Sequence, residues 1–128
     1  MTAPAVIWTV GLQCRPEDED VFNAWYDEVH VPMLLAGGHV AGVTRYKLAS
    51  GTHDVAPGSI ECPTYQTVYE FADREDFESW MNGKARSAAG EDKTTTWAEH
   101  PYDVVWAGSY ERMATTTAVT ITTAPKEG

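Results

Sequence analysis

Phe22-Asn23-Ala24-Trp25-Tyr26-Asp27-Glu28-Val29-His30-Val31-Pro32 reads as the closing turns of an amphipathic helix that a proline stops. Val21 or Phe22, then Trp25 and Val29, recur at helical spacing, so this stripe should face a sheet. Proline has no amide hydrogen and its ring crowds the preceding turn, which predicts that regular helix ends near His30 or Val31. Upstream, Pro16 suits a first helical position. Glu17, Asp18, Glu19 and Asp20 crowd the positive end of the helix, where carboxylates are stabilising. His30 would then lie at the negative end, where the dipole favours imidazolium, and Asp27 one turn earlier acts in the same direction. An imidazole titrates near neutrality, so His30 is the first candidate for proton-transfer chemistry.

Working outward, Ala5 to Leu12 alternates Val6, Trp8, Val10 and Leu12 with Ile7 and Thr9, a strand pattern. After Gly37-Gly38, Gly42 to Ala49 reads as a second strand. Thr64 to Phe71, rich in Thr, Tyr and Val, reads as a third. The polar connection from Ser50 to Pro63 is long for a hairpin and suggests a flap or a disordered loop. Asp73 is a good N-cap for a second helix whose stripe is Phe77, Trp80 or Met81, Ala85 and Ala88. Gly90 to Pro101 is ambiguous, with room for one short helical turn. Tyr102 to Met113 is the fourth strand, with Val104, Trp106 and Tyr110 on one face and Val105 and Ala107 on the other. Ala118 to Thr123 is β-prone and suits either an extra edge strand or a frayed terminus.

The order β-α-β-β-α-β is the ferredoxin-like split unit, an α+β fold with an antiparallel sheet and helices on one face. One domain spans 1–128, with its core in 5–113 and a tail from 114 to 128. The opposite sheet face carries too many aromatic and aliphatic groups to leave in water, which predicts a two-fold homodimer. A chain of 128 residues has little room for a pocket of its own beside a core, so a cavity shared between two subunits is expected. Five Trp and six Tyr suit such a cavity or an interface.

A net charge of −10 argues against nucleic acid and against an anionic membrane surface. It favours a neutral or weakly acidic organic ligand unless Arg45, Lys47 or Arg112 offsets the field locally. Cys14 and Cys62 fall in no metal or redox spacing and read as reduced thiols of a cytoplasmic protein. No signal-peptide pattern or membrane-length apolar run is present. The four histidines show no metal-binding spacing, no glycine-rich phosphate cradle follows a strand, and no serine sits on a strand-to-helix elbow. No cofactor or metal is expected.

Trp25-Tyr26 with His30 and Pro32, then Gly42-Val43-Thr44-Arg45-Tyr46, Tyr65 to Phe71, and Tyr110-Glu111-Arg112 resemble the dimeric α/β-barrel superfamily. The likeness covers about Ala5 to Met113. It is nearest to short EthD-like proteins with a WYxxxHxP helix end, and the superfamily includes small polyketide cyclases, muconolactone-type isomerases and cofactor-independent monooxygenases. The resemblance implies a dimer with a cavity for a small, often aromatic or polyketide-like molecule, and no metal. One fold hosts many chemistries, so the reaction is not implied.

In this topology His30, Trp8, Arg45, Tyr46, Glu70, Tyr110 and Arg112 fall at one end of the sheet. The leading expectation is acid/base chemistry, an isomerisation, cyclisation or elimination, in a cavity between sheet and helices. His30 would move the proton, and Tyr26, Tyr46 or Arg45 would hold a developing oxyanion. Glu70 either pairs with Arg45 inside the cavity or forms a rim salt bridge. Trp8, Trp25, Tyr46, Tyr69, Trp106 and Tyr110 would contact substrate. Two alternatives stay open: oxidation of a phenol, direct or through bound haem with His30 as axial ligand, and a non-catalytic apolar-ligand carrier. Trp97 and His100 are expected at the opposite end, with His39 and His53 in exposed segments.

Overall fold

A computed structural model describes residues 4–49, 58 and 62–118. Its elements are β1 (Val6–Gln13), a 3₁₀ turn (Pro16–Asp18), α1 (Glu19–Trp25), a π turn (Tyr26–His30), α2 (Val31–Leu35), β2 (Gly42–Lys47), β3 (Tyr65–Phe71), α3 (Arg74–Met81), α4 (Lys84–Thr96) and β4 (Asp103–Glu111). The four strands form one antiparallel sheet in the order β2-β3-β1-β4, the split arrangement the sequence predicts. Most of the 50–63 connection, with His53, lies outside the described residues, as does the expected tail strand beyond residue 118.

Strand alternation divides the sheet into two unlike faces. In β3, Tyr65, Thr67, Tyr69 and Phe71 are buried under the helices, while Gln66, Val68 and Glu70 are only partly covered. Register places Val6, Trp8, Val10 and Leu12 of β1 on the helix side with them. The core is this face plus Phe22, Trp25, Tyr26, Leu34, Phe77, Trp80, Ala89, Trp97 and Tyr102. Phe22, wholly buried, is ringed by Trp25, Tyr26, Tyr65, Trp97 and Tyr102 at centroid distances of 4.9–6.5 Å. Trp97 thus joins the cluster around Trp25 instead of marking a far end, and His100 is exposed.

Three local expectations are corrected. First, Pro32 does not stop the helix. The Val31 N–H donates to the Tyr26 carbonyl, a five-residue step. That widened turn accommodates the proline, whose ring would otherwise press on the carbonyl four residues back, and helix resumes through Leu35. The phase change buries Tyr26 in place of Val29, which stays 38% exposed, and Val21 also faces outward.

Second, Gly90 to Pro101 is mostly helix. Asp73 caps α3 through its side chain, accepting from the Asp76 N–H at 2.8 Å as expected, but the stripe then breaks at Gly83. The new helix α4 continues to Thr96, since Lys, Ala, Arg, Glu and Thr there are adequate helix formers once packed. Third, the β1–β4 register shifts between Gly11 and Leu12. The extra residue lets Val104 join Ala107 on the helix side, opposite Leu12 and Val10, while Trp106 and Tyr110 lie opposite Gly11 and Ile7 on the outer face. An added Cβ at Gly11 would stand 2.7 Å from Pro63 Cγ and 2.8 Å from the Trp106 ring, so only glycine permits that packing.

Candidate functional site

Between the sheet and the helices the residues of a single chain line an open cavity of about 410 Å³. Trp8, Val10, Leu12 and Tyr69 make its floor, Tyr26, His30 and Leu34 one wall, Trp80 and Met81 another. Arg86, Ser87, Ala89, Gly90 and Lys93 of α4 close it, with Tyr102, Val104 and Ala107 along the β4 side.

The π turn sets the geometry of His30. In a plain α-helix residues five apart diverge around the axis; the wider turn brings Trp25 and His30 to one side, stacked at 4.7 Å and 26°. Tyr26 meets the same imidazole edge-on at 4.8 Å. Asp92 of α4 accepts the Trp25 indole N–H at 2.9 Å and so fixes the ring that backs His30. The Nδ1 of His30 is buried without a hydrogen-bond partner. Burial pushes its pKa down to about 4, with Lys93 and Arg45 adding to the shift against Asp92. The expected stabilisation of imidazolium is therefore reversed. The helix does not end at His30, and Asp27 is engaged by Arg45 at 3.0 Å. That shift leaves His30 uncharged at neutral pH.

Beneath it, the Tyr26 and Tyr69 hydroxyls share a buried hydrogen bond of 2.8 Å. Burial raises the pKa of Tyr26, Tyr69 and Tyr102 alike, so all three stay as phenols. Arg45 lies behind this wall, its guanidinium 4.3 Å above the Tyr26 ring and bonded to Asn23 and Asp27 at 3.0 Å. It touches the site only through Tyr26.

The structure thus gathers His30, Tyr26, Trp8 and Tyr69 around one cavity, with Trp25 behind His30 and Arg45 behind Tyr26. It separates the rest. Arg45 pairs in register with Thr67 on the helix face, and Glu70 pairs with Gly42 on the other, so no Arg45–Glu70 ion pair can form across the sheet. Tyr46, Trp106 and Tyr110 share that outer face, where Tyr46 and Tyr110 are 55% and 59% exposed. His39, expected in the open, is half-buried and meets Asp76 at 3.2 Å. The sequence reading missed Arg86, Lys93, Tyr102 and Trp80 as cavity residues. The 86/90/93 spacing was the available signal, hidden because α4 lacks an apolar stripe. Among the described residues no His, Cys, Asp and Glu cluster suits a metal ion, and no helix is long and apolar enough to cross a membrane.

The fold is ferredoxin-like, as in solved EthD-family proteins. Residues 5–99 match the family described as Domain of unknown function (DUF4286), and the chain belongs to that family. Among solved structures it is similar to HapK from Hahella chejuensis, at 15% identity and TM-score 0.60 over 90% of this chain and 99% of that one. It is similar to an EthD-family protein from Bacillus halodurans, at 16% and 0.57 over 84% and 99%. SnoaB, a cofactor-independent oxygenase from Streptomyces nogalater, aligns at 12% and 0.52 over 86% and 94%. No curated protein matches the chain in sequence.

Proposed function

We propose that the protein is an enzyme using acid/base chemistry on a small aromatic or polyketide-like molecule held in this cavity, with no cofactor. The observation that carries this reading is His30: a neutral imidazole with unpartnered Nδ1, at the wall of an aromatic cavity. Nothing bonded to Nδ1 locks one tautomer, which suits a group that takes a proton from one substrate position and returns it to another. Isomerisation, cyclisation or elimination through an enolate would use that step, and of the paired Tyr26 and Tyr69 phenols one O–H serves their mutual bond while the other would donate to the developing oxyanion. Trp8 and Trp80 would flank the ring, Trp25 orients His30, and Arg45 holds Tyr26 in place.

His30→Gln keeps the size and polarity of the side chain but removes the base. Solvent-deuterium exchange into a panel of enolisable aryl and polyketide-like ketones, read by mass spectrometry, should fall by about 10²–10⁴-fold with the melting temperature nearly unchanged. Equal exchange in both proteins, or none with any member of the panel, would sink the assignment.

A second reading is favoured by the same base and by the likeness to a cofactor-independent oxygenase. Deprotonating a bound dihydroxy-aromatic compound would give an electron-rich phenolate able to react with oxygen. Oxygen uptake with a hydroquinone separates the two. We also propose a homodimer in which two outer faces, carrying Ile7, Tyr46, Trp106 and Tyr110, cover each other.

A further inference from the structure

Resting on the cavity reading above, we infer that the ligand is an organic anion, an aromatic body carrying a carboxylate or equally acidic group, which Arg86 and Lys93 receive at the α4 side. The chain as a whole carries a net charge of −10, yet among the described residues no carboxylate lines the cavity, and the permanent charges that do are these two cations. They stand seven residues apart, two turns of α4, and so project from one side of that helix. Both are half-buried, and neither has an ion-pair partner among the described residues. Arg86 donates one long hydrogen bond, 3.5 Å, to the Met81 carbonyl, and each cation otherwise rests on aromatic rings. The Arg86 guanidinium lies 5.6 Å from Trp8 and 5.5 Å from Trp80, and Lys93 Nζ lies 4.8 Å from Tyr102. The neighbouring Asp92 is turned away, bonded to the Trp25 indole.

A half-buried cation without a counter-ion is costly unless something else meets it, and a ligand anion would. Of the two, Lys93 also disfavours imidazolium and so adds to the lowering of the His30 pKa that burial begins, which makes anion recognition and a neutral base compatible. Between the cations, Gly90 offers a gap. A Cβ there would meet nothing within 4 Å, although glycine inside a helix is less stable than alanine. That gap suits the acidic end of a ligand whose rings lie on Trp8 and Trp80. The local positive field also offsets the repulsion that the acidic surface would impose on an incoming anion.

The test uses an isosteric pair, 2-naphthoate and 2-naphthamide, titrated by tryptophan fluorescence quenching and calorimetry. The carboxylate should bind at least about tenfold tighter than the amide, the worth of a charge-assisted contact, and should weaken with added salt. Lys93→Gln and Arg86→Gln should each reduce the preference by about fivefold or more while amide affinity stays constant. His30→Gln should retain the preference, because it removes the base and not the anion site. An anion preference kept in both proteins, beside exchange that His30→Gln leaves unchanged or that the parent itself lacks with every ketone of the panel, would therefore overturn the catalytic reading alone. Equal affinity for the two probes, binding of neither at millimolar concentration, or a preference that survives both cation substitutions would overturn the anion inference.

Discussion

The two faces of the sheet are built from the same four strands and similar residues, yet they do different things. The helix side buries Tyr65, Tyr69 and Phe71 beside Val6 and Leu12 and still keeps a cavity of about 410 Å³. The other side leaves Tyr46 and Tyr110 more than half exposed. Aromatic residues alone do not mark a ligand site. On the inner face rings are held at fixed angles by one another, and the gap they leave is bordered by His30, Arg86 and Lys93. On the outer face Tyr46 and Tyr110 are more than half exposed, which is what a self-association surface would look like before its partner arrives.

The sharpest way to break this contrast is to remove one aromatic group from each face. Phe22→Ala empties the centre of the inner cluster and should cost about 3–5 kcal/mol in denaturant unfolding. Tyr110→Asp should leave the inner core intact and instead shift light scattering from dimer to monomer. An unfolded Tyr110→Asp, or a Phe22→Ala as stable as the parent, would reverse the roles assigned to the faces.

The next effect comes from His30. The unfolded chain binds its proton near the ordinary value of 6.5, the folded chain only near 4, so the unfolded state binds more protons between those limits. The contribution is fully present above about pH 6.5 and is lost as the pH falls towards 4, a change of about 3 kcal/mol. His30→Gln should flatten that part of the stability profile, and any activity that needs the neutral imidazole should persist to nearly pH 4. An NMR titration of His30 with a midpoint above 6 would remove the neutral-base argument.

The smallest effect sharpens the comparison inside the cavity. Tyr69→Phe deletes one end of the 2.8 Å phenol pair and leaves the Tyr26 hydroxyl buried without that partner, at a cost of about 1–3 kcal/mol. It should also lower turnover more than it weakens binding of an aromatic probe, as expected of a donor that acts on developing charge. Equal losses in the two would make the pair structural.

The four strands with their order along the chain, the N-cap at Asp73 and the aromatic surroundings of His30 were legible in the sequence, because each rests on a local pattern: alternation, a capping side chain, a histidine among aromatic residues. The sequence by itself also determined the charge balance and the surplus of apolar groups for one sheet face. Tertiary structure decided the rest. Pro32 can end a helix or be absorbed by a five-residue turn, and packing of Trp25 and Tyr26 against the sheet favours the latter. Alternation along β4 is broken by a bulge at Gly11/Leu12 that neither strand reveals alone, so Val104 and Trp106 part company. Arg45 and Glu70 are separated by a register that only strand pairing sets. α4 is held by tertiary contacts more than by periodicity, which is why Arg86 and Lys93 reach the cavity unannounced. Local rules act over one or two turns; a cavity is bounded by residues that meet only after long-range pairing has fixed which sides face inward.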